Sequence, residues 1–309
     1  MERALLGGER KYTRHEVAQL AGADVDMARR LWVALGFATV GDDDVVFTDG
    51  DVDALRVWTA LHELGAIPDD QATSAARAVG QALGGLASWQ VTEIVGRFAE
   101  LGAGPADAAA IAEALIPALQ RLQNYAWRRH LAASAGRAFI AGDTERSTTT
   151  SAVGFADIVG YTRTTRHLDT TELAQLLEEF EADAAATVVE HDGRIVKTVG
   201  DEVLFVVERP ADAAEIALRL TDDERARGGL PTLRVGLAYG TVLTRFGDVY
   251  GSVVNLAARL TGLARPGSAL VDKEIARELD GDPRYRLRTR RPTSVRGYAH
   301  LRSWALQRG

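Results

Sequence analysis

Apolar positions along this chain follow two different periods, and the change falls near its middle. Up to about residue 140 they recur at helical intervals; from about 148 onward short runs of β-formers alternate with amphipathic helices. Residues 13–35 read as two short helices about a Gly22-Ala23-Asp24 turn. Thr13 caps the first with Glu16 as its capping-box partner, and Met27, Leu31 and Leu35 give the second an apolar stripe. Residues 41–48 are polar and partly extended, and another helix starts near Asp51. From Val52 to Leu119 an Ala- and Leu-rich stretch is interrupted at 65–68, 84–85 and 102–105, as expected of a small helical bundle. Trp32, Trp58, Trp89 and Trp127 fall at helical positions and are expected as core anchors. Residues 116–140 form one more helix carrying Arg128, Arg129 and His130, and 142–150 is a small, polar tether.

The second half is organised around residues 193–205, GRIVKTVGDEVLF. Strand formers flank Gly200-Asp201, a hairpin turn signal because glycine adopts positive φ at little cost. Lys197 inside an apolar strand and Asp201 at the tip are charges where charges are rare without a task or a partner. Before this hairpin, residues 148–158 read as a strand delivering Asp157 to its end, and 169–191 as an amphipathic helix. After it come a helix at 210–225 and a strand at 232–239. Residues 248–259 then run from a strand end through Gly251 into a helix with Asn255 and Arg259 on one face. Residues 268–271, 285–289 and 295–306 close the sheet. The order β-α-β-β-α-β, with additions, predicts a ferredoxin-like α/β sandwich.

A length of 309 residues accommodates two domains with separate cores. The net charge of -7 argues against nucleic acid or an anionic membrane as the main partner. Absence of cysteine removes disulfides, zinc thiolates and cysteine nucleophiles. Residues 1–10 lack a signal-peptide core, and no apolar run approaches the ~20 residues needed to cross a bilayer, so a soluble, cytoplasmic chain is expected. Residues 11–60 resemble a winged helix-turn-helix of the MerR type. Arg14, Arg29 and Arg30 could meet phosphates there, but Asp24, Asp26, Asp42, Asp43 and Asp44 would meet the same polyanion, so DNA contact is not expected.

The segments FADIVGYT, KTVGDEVLF and GDVYGSVVNLAAR, in this order and at these separations, are similar to the catalytic domain of class III nucleotidyl cyclases. The resemblance covers residues 147–309. It implies a ferredoxin-like catalytic domain preceded by an all-α regulatory domain at 1–118, with a connecting helix and linker at 119–146. By matching positions it implies that Asp157 and Asp201, with the Ile158 carbonyl, hold two divalent cations, Mg²⁺ or Mn²⁺. It makes Asn255 the ribose-orienting residue, Arg259 the transition-state cation and Arg296 a contact for the terminal phosphates. Lys197 and Asp248 fall at the base-reading positions. Lys197 donates and an ionised Asp248 accepts, which complements adenine N1 and N6 and mismatches guanine. The expected reaction is therefore ATP to 3′,5′-cyclic AMP and pyrophosphate.

In this family the metal aspartates and the base, ribose and transition-state residues come from different subunits, so a C2 homodimer with two shared sites is implied. The segment TVLTRFG before Asp248 is shorter than in many members, which bears on the dimer arm. The layout also resembles soluble actinobacterial cyclases whose helical N-terminal domain responds to pH, with His130 as the first candidate. The alternative reading is a catalytically silent nucleotide sensor coupled to a DNA-binding head. Retention of Asp157, Lys197, Asp201, Asp248, Asn255 and Arg259 speaks against silence.

Overall fold

After a short helix α1 (Glu2–Leu6), Thr13 starts α2 (Arg14–Ala21) with a reciprocal cap. The Glu16 amide donates to Thr13 Oγ1 at 3.3 Å, and the Thr13 amide donates to Glu16 Oε2 at 2.7 Å. This computed structural model describes residues 2–102, 104, 107–141 and 148–309, and the chain divides into two units, Met1–Thr144 and Glu145–Gly309.

In the first unit α2 is followed by α3 (Val25–Leu35), α4 (Asp49–Glu63) and α5 (Asp69–Gln90). A π-helical turn at Val91–Val95, α6 (Gly96–Glu100) and α7 (Ala108–Ala141) complete it. Its core gathers Val17, Ala28, Trp32, Phe47, Leu55 and Ala76, with the Trp32 and Phe47 rings 4.7 Å apart. Four expectations need correction here. Gly84-Gly85 does not break α5, because the surrounding run of helix formers carries two glycines at about 1 kcal/mol each. The last helix begins at Ala108 rather than 116, so Pro117 lies in its interior instead of its first turn. Trp89 and Trp127 are exposed, whereas Trp32 is buried and Trp58 packs beside it. No wing strand forms among the described residues of 37–46; the only pairing nearby is an isolated bridge between Tyr12 and Phe47. Instead Arg14 is buried, pairing with Asp42 and donating to the Val40 carbonyl at 2.6 Å, so the acidic segment folds onto it. The tether predicted at 142–150 lies outside the described residues except for its last three, which belong to a strand.

The second unit opens with β1 (Thr148–Ile158), then α8 (Tyr161–Thr164) and α9 (Thr170–Glu190). Next come the hairpin β2 (Arg194–Val199) and β3 (Glu202–Val207), α10 (Pro210–Leu220), α11 (Asp223–Arg227) and β4 (Leu233–Arg245). The chain finishes with β5 (Asp248–Tyr250), α12 (Ser252–Leu263), β6 (Ser268–Val271), α13 (Lys273–Glu278), β7 (Tyr285–Thr289), β8 (Thr293–Val295), β9 (Tyr298–Leu301) and β10 (Trp304–Arg308). The main sheet runs β2-β3-β1-β4-β6-β10-β7, with β5 paired to β4. Its first four strands are antiparallel in the order of a ferredoxin-like unit, as the sequence order predicted. The closing segment expected at 295–306 is instead divided among three strands, β8 and β9 forming a separate two-stranded sheet.

Alternation along the strands sorts the sheet into two faces. Ala152, Ala156, Val203 and Phe205 pack with Phe180 and Ala184 of α9, Ile216 of α10 and Ile275 of α13. Val153, Leu204 and Ala238 face the other way, onto Ala257 of α12 and Val249 of β5. Helix α12 lies very close to that second face. A Cβ at Gly236 would come within 2.2 Å of the Thr261 amide nitrogen, so only glycine admits the helix at this depth. Among the described residues no helix is long and apolar enough to cross a membrane.

Candidate active site

Asp157 is the penultimate residue of β1 and shares the parity of Val153 and Phe155, which places it on the α12 face of the sheet. It stands opposite Glu202 on β3 and opposite Arg234 on β4. Arg234 donates from Nε to Asp157 Oδ2 at 2.6 Å. The hairpin tip closes the cluster from the side: the Ile158 amide donates to the Asp201 carbonyl at 3.1 Å, and Gly200 takes φ 63° to make the turn.

Three carboxyl groups thus crowd one guanidinium. Asp157 is 8% exposed, and burial raises its pKa; Arg234 opposes this, while the neighbouring Asp201 carboxyl adds to it. Burial, then the charges of Asp157 and Asp201, push Glu202 up to about 7. The cluster is short of positive charge, and its side chains offer hard oxygen donors. Both properties fit a divalent cation of the Mg²⁺ or Mn²⁺ kind. Among the described residues no group of three or more His, Cys, Asp or Glu is arranged as a ready-made metal cage. Two carboxylates and a carbonyl would leave the remaining positions to water and phosphate oxygens, which suits magnesium.

Lys197 and Asp248 form a second group. Lys197 Nζ donates to Asp248 Oδ2 at 2.5 Å, and the Val249 amide donates to Asp248 Oδ1 at 2.8 Å. Burial alone would raise the Asp248 pKa; Lys197 and the Val249 amide outweigh it and hold the carboxyl below the usual carboxylate range. A bulge makes this contact possible. Ile195 stands opposite Phe205, but Lys197 stands opposite Leu204, so the register slips between them. Regular alternation would put Lys197 on the same face as Ile195, away from β5.

Asn255 and Arg259 sit one turn apart on the exposed side of α12. The helix turns Ala257, Leu260 and Thr261 inward, and Thr261 Oγ1 donates to the Ala257 carbonyl at 2.9 Å. Neither Asn255 nor Arg259 forms a side-chain hydrogen bond or ion pair among the described residues. Arg296 lies in the exposed turn between β8 and β9, apart from both groups in sequence and sheet. The structure therefore brings Asp157 near Asp201 and joins Lys197 to Asp248, and leaves Asn255, Arg259 and Arg296 without side-chain partners among the described residues. Sequence reasoning missed Arg234 and Glu202. The available signal was a charge at a strand position between apolar neighbours, in LRVG and DEVL.

A ferredoxin-like sheet with carboxylates at one strand end, a Lys–Asp pair on the same face and an arginine-bearing helix over it is the architecture of a nucleotidyl cyclase domain. The family profile described as the adenylate and guanylate cyclase catalytic domain matches residues 144–308, and the chain belongs to this family. It is 44% identical over 288 residues to an adenylate cyclase of Streptomyces coelicolor, covering 90% of this chain and 74% of that one. It is 36% identical to an adenylate cyclase of Glutamicibacter nicotianae, over 100% of this chain and 82% of the other. A protein of Mycobacterium tuberculosis named a pH-sensitive adenylate cyclase is 31% identical, over 91% and 73% respectively. These alignments extend well into the first unit.

Proposed function

We propose that the chain is an adenylyl cyclase that converts ATP to 3′,5′-cyclic AMP and pyrophosphate at sites completed by a second copy. The observation that carries the substrate assignment is the Lys197–Asp248 contact at 2.5 Å. Held together, the two present one donor and one acceptor, the complement of adenine N1 and its N6 amine. Guanine offers N1–H toward the ammonium and a carbonyl toward the carboxylate, and such buried mismatches are strongly rejected. The names of the Streptomyces and Glutamicibacter relatives agree with this substrate.

Asp157, Asp201 and the Ile158 carbonyl would hold two divalent cations, Mg²⁺ or Mn²⁺, which when bound neutralise charge at the α-phosphate and favour ionisation of the ribose 3′-hydroxyl. Arg234 fixes Oδ2 of Asp157, so that carboxylate is presented in one orientation. Asn255 orients the ribose. As the 3′-oxygen bonds to the α-phosphorus in line, the bond to the β-bridging oxygen breaks and pyrophosphate leaves with that electron pair. Arg259 donates to the phosphoryl oxygens as their charge grows, and Arg296 takes the terminal phosphates. The exposure of Asn255 and Arg259 supports a site in which they meet a nucleotide held by the carboxylates of another protomer. A C2 homodimer with two equivalent sites follows.

Residues 1–118 are assigned a regulatory role, 119–146 the connection and 147–309 catalysis, in an aqueous, cytoplasmic setting. The name of the mycobacterial relative makes pH a candidate input, and His130 is exposed on α7. DNA is not part of this reading, since Arg14 is committed to Asp42 and Val40. The test is complementation. Asp201→Ala and Arg259→Ala proteins should each be nearly inactive with ATP, yet regain activity when mixed, because the mixed dimer contains one intact site. Confirmed mixed dimers without recovery would overturn the shared site.

A further inference from the structure

From Pro283 to Gly309 the chain carries eight arginines and no aspartate or glutamate, although its net charge is -7. Arg284 pairs with Asp282 and Arg308 with Glu215. The side chains of Arg286, Arg288, Arg290, Arg291, Arg296 and Arg302 form no hydrogen bond or ion pair among the described residues. Three of these six stand in a row. Arg286 and Arg288 on β7 and Arg290 just beyond it share one parity, so they lie on one face at intervals of about 6.7 Å. Strand β7 is also the last of its sheet and pairs with β10 alone. The Arg290 amide donates to the Ser303 carbonyl at 2.9 Å, and the Gly309 amide to the Arg284 carbonyl at 2.9 Å. In this antiparallel ladder the even-numbered residues of β7 therefore bond to β10. The amides and carbonyls of Leu287 and Thr289 point outward from the sheet, where no backbone group among the described residues meets them.

We infer that the free edge of β7 is a docking strand for an extended acidic segment of another protein, one that carries Asp or Glu at every second residue. Two independent features select this occupant. The edge offers donors and acceptors together, which an added peptide strand satisfies in full. Phosphates of a nucleic acid or a lipid surface could neutralise the arginines, but they bring no donor to the outward carbonyls. The arginine row then sets the chemistry of the peptide. On an added strand, side chains directly opposite Arg286 and Arg288 stand about 4.5–5.5 Å away at Cβ, within reach of charge-assisted hydrogen bonds from carboxylates. A second β7 laid against the first would set arginine beside arginine. Charge of one sign thus guards the edge against a copy of itself and leaves the opposite sign as the fitting partner. On the other face of β7, Leu287 packs against the core that contains Ile216 and Leu306. The residues between the carboxylates of the partner should therefore be apolar or β-branched, so that they extend this side of the sheet.

The probe is a fluorescent peptide in which Glu alternates with Val and Thr, titrated with the full-length protein and followed by anisotropy. Saturable binding that weakens as salt is raised is expected. Charge and edge are then separated. Arg286→Gln combined with Arg288→Gln should weaken binding at least about tenfold. N-methylation of the peptide amides along one edge keeps its charge but blocks strand pairing, and should cost at least about tenfold as well. Thr289→Pro removes an outward donor without touching the bonds to β10 and should also weaken binding. The melting temperature of each variant, compared with the parent, shows that it is folded; the methylated peptide tests the edge on the unaltered protein. Absence of saturable binding, or equal binding of the methylated peptide, overturns the docking strand. So does tighter binding to anionic vesicles or to single-stranded DNA than to the peptide, lost in the same arginine variant, which would assign the row to phosphate instead.

Discussion

Arg234 lies directly opposite Asp157 across the β1–β4 pairing, and its Nε donates to Asp157 Oδ2 at 2.6 Å. It sets a positive charge against a cluster of three carboxyl groups, two of which have raised pKa values. The guanidinium lowers the Asp157 pKa, so removing it leaves burial and Asp201 unopposed and the pKa rises further. In the proposed reaction Asp157 acts in its ionised form, as a metal ligand. In Arg234→Met the acid limb of the pH–rate profile should therefore move to higher pH, by one unit or more, and the Mn²⁺ concentration for half-maximal activity should rise. An unmoved acid limb would show that Arg234 does not act through Asp157.

Lys197 and Asp248, proposed to read the base, make a separate prediction. In Lys197→Glu combined with Asp248→Asn, an acceptor meets guanine N1–H and an amide can donate to its carbonyl. The ratio of kcat/KM for ATP over GTP should fall by at least about 10²-fold. The single Lys197→Glu substitution sets two carboxylates together where the pair now stands at 2.5 Å, so it should lower activity with both nucleotides. Initial rates with each nucleotide at matched Mn²⁺ decide the matter. An unchanged ratio in the double variant would assign base choice to other residues.

Much of this arrangement is legible in the residues alone, for identifiable reasons. The Thr13–Glu16 cap is local chemistry, and it forms as the spacing implies. The turn at Gly200-Asp201 and the strands at 268–271 and 285–289 are likewise set by nearest neighbours. What sequence missed depends on non-local packing. The bulge before Lys197 arises from pairing with β3, and nothing in RIVKTV marks it. Arg234 becomes part of the site through its register opposite Asp157, a relation between residues far apart in the chain. Trp89 and Trp127 have the periodicity of core residues, yet both are exposed, because periodicity puts a residue on one face of a helix without saying which face is covered.

Gly236 is a glycine for the benefit of the helix that carries Asn255 and Arg259. Its missing Cβ would stand 2.2 Å from the Thr261 amide and 2.4 Å from the Ala257 carbonyl, both backbone atoms that cannot step aside alone. Gly236→Ala should therefore lift α12 and lower stability by about 1–3 kcal/mol. Activity should fall at least about tenfold even at temperatures where the variant is fully folded, since both side chains move with the helix. Denaturant midpoints and kcat measured on the same preparation separate the two effects. A stable variant with full activity would show that α12 tolerates displacement.

Asp272 offers a test that leaves the catalytic cluster untouched. It is 4% exposed, caps α13 by accepting from the Ile275 amide at 2.9 Å, and also accepts from the Tyr239 amide at 3.3 Å. Burial pushes its pKa up to about 6, against the partial opposition of those amides. A raised carboxyl pKa means that the folded chain binds the proton more tightly than the unfolded one across the interval from about pH 4 to about pH 6. The contribution of this group to stability is therefore fully present below pH 4 and is lost as pH rises to about 6, on the order of 2–3 kcal/mol in all. In Asp272→Asn the side chain is neutral throughout and its oxygen still accepts from the helix. The melting temperature of the parent minus that of this variant should fall between pH 4 and pH 6 and then stay level. A difference that is constant over the interval would mean that the Asp272 carboxyl ionises as freely in the folded chain as in the unfolded one.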